Sequence, residues 1–145
     1  MGTKMLRRTA FTLVELVVVI MILGILAGVA APKLLNTSGQ ATDNGIRQTL
    51  AVVRNAIELY AAQNGGSLPP CTGTGADFKT ALQPYLRGEF PICPVGAADS
   101  DITPITGTTT ADNGTGWMFN TGDGTFICNS SATDNSTPAV AYSTY

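Results

Sequence analysis

Hydrophobic positions fall into three regimes along the chain. From Phe11 to Ala31, 17 of 21 residues are apolar, the exceptions being Thr12, Glu15, Gly24 and Gly28. This run predicts a helix that is apolar on every side. At 1.5 Å per residue it spans about 32 Å, which matches a hydrocarbon core of ~30 Å. Pro32 follows and removes a helical N–H donor. Residues Asn36 to Gly45 are weak helix formers, so they read either as loosened helix or as a break. From Ile46 the apolar residues Ile46, Leu50, Val53, Ile57 and Tyr60 recur at helical spacing, with Arg47, Arg54, Asn55 and Glu58 largely off that line. The stripe predicts an amphipathic helix lying on a sheet. Gly65-Gly66 ends it and Pro69-Pro70 prevents it from restarting. A continuous helix from Phe11 to Gln63 would be on the order of 80 Å long.

The rest of the chain reads as short elements. Phe78, Leu82, Tyr85 and Leu86 give one face of a helix from Asp77 to Leu86, started by a capping box of Thr74 and Asp77 and bent or ended by Pro84. Trp117–Phe119 and Phe126–Cys128 read as strands around the turn Asn120–Gly124, hence a hairpin. A third strand is expected in Ala139–Tyr142, and Gly96–Gly116 as a long exposed loop. The fold class is therefore α+β, a long N-terminal helix on a small antiparallel sheet.

Charge sharpens the first regime. Residues 1–10 carry Lys4, Arg7 and Arg8 and no acid. A positive flank stays cytoplasmic and sends the remainder outward. Pro32–Tyr145 holds 5 Lys+Arg and 9 Asp+Glu, a charge of −4, so no nucleic-acid partner is expected. The whole chain is 12% charged against a typical ~25%, and it contains no histidine. That removes His-based triads, His metal sites and an imidazole switch. No nucleophile elbow, Walker A loop, dinucleotide fingerprint or zinc-protease motif occurs, and Gly73–Gly75 and Gly122–Gly124 are too short to cradle phosphate.

Three features remain as candidate chemistry. Glu15 is a carboxylate inside an apolar run, at a cost of roughly 2.5–3.5 kcal/mol on insertion scales. It needs a cation, and no basic residue lies within the run; otherwise it snorkels or stays protonated. Gly24 and Gly28 have the small-xxx-small spacing of close helix contacts, or else simply loosen the helix. Cys71, Cys93 and Cys128 lie beyond the membrane segment, where an oxidising compartment would allow one disulfide. All three pairings are open, with Cys93, held between Pro91 and Pro94, the favoured member; three reduced, buried thiols are the alternative.

Arg7-Arg-Thr-Ala-Phe-Thr-Leu-Val-Glu-Leu16, followed by the apolar run, resembles the class III signal peptide of type IV pilins and type II secretion pseudopilins. Ala10, where that family most often has Gly, would precede the cut. Phe11 would be the new N-terminus and Glu15 the fifth mature residue. Pro32 falls where the family commonly kinks its first helix. Phe90–Gly96, Gly116–Asn120 and Gly124–Ile127 look like the heads of major pseudopilins. The resemblance implies the pilin fold, with a leader at 1–10, a transmembrane and filament-core helix at 11–31, and a periplasmic or extracellular head at 32–145. It implies a prepilin peptidase that cuts after Ala10 and methylates Phe11. It also implies insertion in the inner membrane, an assembly platform there, minor pseudopilins, and a homopolymeric helical filament. Glu15 of one copy would neutralise the Phe11 amine of the next. The implied role is structural, not enzymatic.

Calcium is the one cofactor the resemblance offers, with Asp112, Asp123 and Asp134 as oxygen ligands against ordinary turn chemistry. Among the family's members a type II secretion pseudopilin is favoured over a type IV pilus subunit for adhesion, motility or DNA uptake. A different reading makes the apolar run a secretory signal peptide, with Val29 and Ala31 before a cut at Pro32, and the head a secreted binding module.

Overall fold

The computed structural model describes residues 11–136 and 138–145, and of residues 34–36 the backbone alone. The expected leader lies outside the described residues. Helix α1 is Leu13–Gln63, and it contains Pro32. The proline cannot donate to the carbonyl of Gly28, yet the backbone stays helical through it and through 36–45. Gly65 and Gly66, both at positive φ, end the helix, and the Gly66 N–H returns to the Ala61 carbonyl at 2.8 Å.

The chain divides into two units, one ending at Thr37 and the other Ser38–Tyr145. In the first, every described side chain from Phe11 to Lys33 is exposed. Its apolar window has a mean hydropathy of 2.8 and is 0% buried. Among the described residues this is the one helix long and apolar enough to cross a membrane.

The second unit is built on the amphipathic turns of α1. Then come α2 (Ala76–Leu82), a 3₁₀ turn at Gln83–Tyr85, β1 (Ile102–Ile105), β2 (Trp117–Asn120), β3 (Phe126–Cys128) and a 3₁₀ turn at Tyr142–Thr144. The sheet order is β1-β2-β3. The β2–β3 hairpin is antiparallel, with Trp117 opposite Cys128 and Phe119 opposite Phe126. β1 runs parallel to β2, Ile102 beside Trp117 and Ile105 beside Asn120.

The class is α+β, but three expectations need correction. The sheet is mixed rather than antiparallel, because β1 lies inside the stretch 96–116 read as loop. Residues 106–116 return the chain to the start of β2, the long connection that a parallel pair needs. Pro104 sits in β1 without harm because β1 is an edge strand. Ala139–Tyr142 is not a strand; it makes one bridge, Ala141 to Thr133, and enters the last 3₁₀ turn. Thr74 does not cap α2. Gly75 does, at φ 74°, with no side-chain cap bond. A Cβ there would stand 2.7 Å from Ile102 Cβ, so glycine lets β1 approach the helix start. Asp77 instead accepts from the Thr72 N–H and hydroxyl, both at 2.9 Å.

The apolar stripe of α1 fills the core: Ile46, Leu50, Val53, Ala56 and Ile57 are buried with Phe78, Leu82, Trp117, Phe119 and Phe126. Phe78 stacks on Phe126 at 5.9 Å and tilts against Phe119 at 4.5 Å. Trp117 lies 5.3 Å from Phe126. Burying each such side chain contributes about 1.5–3 kcal/mol. Because Phe78 joins α2 to both hairpin strands, Phe78→Ala should cost about 3–5 kcal/mol. Urea unfolding of the full chain in detergent, followed by the fluorescence of the single Trp117, measures the loss.

Candidate functional site

Two polar constellations stand out. The first opens α1. Thr12 precedes the first helical residue, and its N–H and hydroxyl both donate to Glu15 Oε2 at 2.8 Å. The Glu15 N–H donates to Thr12 Oγ1 at 3.2 Å. This reciprocal pair is a capping box, and it places a carboxylate against the positive end of the helix dipole. Thr12 was not among the residues expected to matter. The signal was there: Thr12-Leu-Val-Glu15 has the spacing of the motif.

Of the expected assembly residues, Ala10 lies outside the described residues and Phe11 is 86% exposed. A Cβ built on Gly24 or Gly28 meets nothing within 4 Å, so that face of the helix is open. Pro32 lies in the same exposed stretch.

The second constellation, wholly within the Ser38–Tyr145 unit, ties the last residues to α1. Arg47 Nη2 donates to Asp134 Oδ2 and to the Tyr145 hydroxyl, both at 3.0 Å. Its guanidinium lies 4.3 Å from the centre of the Tyr145 ring, a cation–π contact. The Tyr145 hydroxyl in turn donates to Asp134. The Tyr142 hydroxyl donates to Asp43 Oδ1 at 2.6 Å, and the Asn135 N–H to Asp43 Oδ2 at 3.1 Å. Arg54 Nε and Nη2 donate to the Phe126 carbonyl at 3.1 and 2.9 Å, and Nη2 also to the main-chain oxygen of Tyr145. One helix thus holds both β3 and the chain's final turn.

Asp134 Oδ1 accepts from the Ser136 hydroxyl at 2.6 Å, the Val140 N–H at 2.8 Å and the Ser136 N–H at 3.1 Å. The Ser136 hydroxyl first, then Tyr145 and Val140, hold its carboxyl well below the usual range. Burial and the bond to Asp43 push the Tyr142 hydroxyl well above its ordinary value.

The other expected ligands do not converge. Asp112 accepts from Asn129 Nδ2 at 2.6 Å and from the Gly114 N–H at 2.9 Å. Asp123 accepts from the Thr125 N–H at 2.8 Å in the hairpin turn. With Asp134 they sit in three separate networks, and among the described residues no group of three His, Cys, Asp or Glu is placed to hold a metal.

The cysteines separate into a pair and a single. Cys93 and Cys128 are fully buried with their sulfurs 3.1 Å apart. A thiol hydrogen bond between them pulls the Cys93 thiol down and, with burial, pushes Cys128 up. Cys71 is buried elsewhere in the core, its thiol pushed up to about 11 by burial and by Asp77.

The prokaryotic N-terminal methylation motif matches residues 5–31. A type IV narrow pilus major component of Thermus thermophilus is 32% identical, over 53% of this chain and 78% of that protein. The type II secretion system core protein G of Vibrio cholerae is 36% identical, over 51% of this chain and 49% of its own. The prepilin peptidase-dependent protein D of Escherichia coli is 39% identical, over 46% and 45%. The match thus spans about half the length of the last two relatives. No solved structure matches the chain.

The Asp134 network makes the head acid-sensitive in a defined sense. A carboxyl held below its ordinary value stabilises the folded state at neutral pH, and that contribution is lost as pH falls from the ordinary carboxylate range through the folded value. Asp134→Asn should lower the melting temperature at pH 7 and flatten its decline below about pH 4. Melting curves of both proteins from pH 7 to pH 2 check this.

Proposed function

The chain belongs to the type IV pilin-like family, and from that membership we propose that it is a filament subunit of the type II secretion pseudopilin kind. The observation that carries the reading is the contrast within α1. Its amphipathic turns are buried in a complete core, while Leu13–Ala31, apolar except for Glu15, Gly24 and Gly28, is exposed. Exposed apolar side chains over that length need lipid or protein around them. The apolar helix and the methylation motif fit a membrane-anchored pilin.

The sequence of events follows from this. The chain inserts once in the inner membrane, its basic leader cytoplasmic and its head outward. A prepilin peptidase cuts between Ala10 and Phe11 and methylates the new amine. On an assembly platform the helices leave lipid and bury one another, Gly24 and Gly28 allowing close approach. The Phe11 amine of one copy pairs with Glu15 of its neighbour. The repeated contact is heterologous and does not close, so copies add into a helix rather than a ring. Minor pseudopilins would join the same filament. The role is structural, with no catalytic step.

A second reading makes the chain a type IV pilus subunit. It is supported by the Thermus relative, 78% of which the match covers.

Intact mass and N-terminal sequencing of the purified protein test the proposal. A start at N-methylated Phe11 is expected; a start at Pro32 would sink it in favour of a secreted head. Electron microscopy of sheared material then separates the two filament readings: short, cell-bound fibres for a pseudopilin, long released ones for a pilus.

A further inference from the structure

We propose that Cys93 and Cys128 are joined as a structural disulfide in the mature head, while Cys71 remains a thiol. The inference rests on the reading above only in placing the head outside the cytoplasm, where disulfides persist.

The two sulfurs are brought together by bonds that do not involve them. Cys128 ends β3 directly opposite Trp117 of β2. The indole Nε1 of Trp117 donates to the Pro91 carbonyl at 2.9 Å, which hangs the start of the 91–101 loop on that strand. The Trp117 N–H donates to the Asp101 carbonyl at 3.0 Å, which fixes the loop's end. Inside the loop, the Cys93 N–H donates to the Asp99 carbonyl at 2.9 Å, and Asp99 Oδ1 accepts from the Gly116 N–H at 2.7 Å.

Gly116 is what lets the loop lie so close. A Cβ there would stand 2.2 Å from the Asp99 oxygen and 2.9 Å from Cys93 Cβ. Its own carbonyl accepts from the Asn129 N–H at 3.0 Å, next to Cys128. The result is two fully buried sulfurs 3.1 Å apart, fixed in place by β2. Cys71 is not part of this arrangement; its neighbour Thr72 is tied to Asp77 at the start of α2.

A bridge here also does something for the fold. The segments 91–101 and 106–116 contain little regular structure beyond the end of the loop, and ordering them opposes folding. A link from 93 to 128 encloses 106–116 and all but the first two residues of 91–101, along with β1 and β2, and removes conformations from the unfolded chain.

The chemistry balances by exchange with a disulfide-bearing oxidant, a protein or a small molecule. The Cys93 thiolate, having lost its proton to solvent, attacks one oxidant sulfur and releases the other as a thiolate. The Cys128 thiolate then attacks Cys93 in the mixed disulfide and releases the second oxidant sulfur. Two protons leave the protein and two electrons pass to the oxidant, which ends as two thiols. Because the folded pair is buried, the exchange takes place before the 91–101 loop closes over it.

Thiol counting tests this in two arms. In the first, the purified full chain in detergent is unfolded and refolded with oxidised glutathione. It is then acid-quenched, alkylated under denaturing conditions and digested for mass spectrometry. The expected result is label on Cys71 alone before reduction and on all three cysteines after it, with a 93–128 linked peptide. Cys71→Ser should keep the linked peptide, whereas Cys93→Ser and Cys128→Ser should each expose the other's thiol to label. Label on Cys93 and Cys128 before reduction, or a link through Cys71, overturns the pairing. The second arm acid-traps thiols in intact cells. The linked peptide there supports the proposal in full. Reduced thiols there, with the link formed in the first arm, overturn the extracytoplasmic placement and not the pairing.

Discussion

A carboxylate in an apolar helix must find donors or a cation, and this requirement governs how the N-terminal segment is used. Within one chain Glu15 meets it locally, through the backbone and hydroxyl of Thr12, in a box that also closes the open end of α1. The local solution leaves the negative charge in place. In lipid that charge is costly, and a neighbour's amine at the same depth would offset the cost. An amine generated at Phe11 would lie four residues from Glu15 along the chain, so the proposed pairing between copies would set an axial step as well as an attraction. Thr12 holds the carboxylate at the helix start, where, in the proposed filament, the Phe11 amine of the next copy would meet it.

The Ser38–Tyr145 unit has a core and polar anchors of its own. Its core closes on the Ile46–Ile57 stripe, three strands and the Phe78 cluster. Its polar anchors, Asp43, Arg47 and Arg54, lie on the same helix and hold β3 and the final turn by charge-assisted bonds. One helix thus carries an exposed apolar stretch and a stretch with one buried face in succession. The later turns are buried in the core, and the earlier turns are exposed. The change in hydrophobic period along the sequence marks this division, and the boundary between the two units falls near it in the chain, between Thr37 and Ser38.

Legibility followed periodicity. The long apolar run, the stripe of α1 and the β2–β3 hairpin were readable because each repeats a pattern at the period of its own structure. β1 was not. Ile102-Thr-Pro-Ile105 is too short to show alternation, and Pro104 argues against a strand unless the strand is known to lie at an edge. The apparent strand at Ala139–Tyr142 failed for a different reason: its apolar residues serve a turn held by Asp134 and Arg47, long-range contacts that local sequence does not display. Thr74 looked like a cap, but its carbonyl is used by Ile102 of β1 and Gly75 starts the helix instead. Glu15 was conspicuous as a charge in an apolar run, while Thr12, its partner, was hidden by being an ordinary polar residue. The cysteine pairing could be narrowed only once Gly116 and Trp117 were seen to fix the loop on β2.

The central claim is that Glu15 links one copy to the next and that the head folds without it. It is tested most directly by expressing Glu15→Ala beside the wild-type chain and measuring the variant in sheared filaments and in membranes. The account predicts a membrane-resident variant whose head melts at the wild-type temperature but which is absent from filaments. Incorporation of Glu15→Ala at the wild-type level would contradict it.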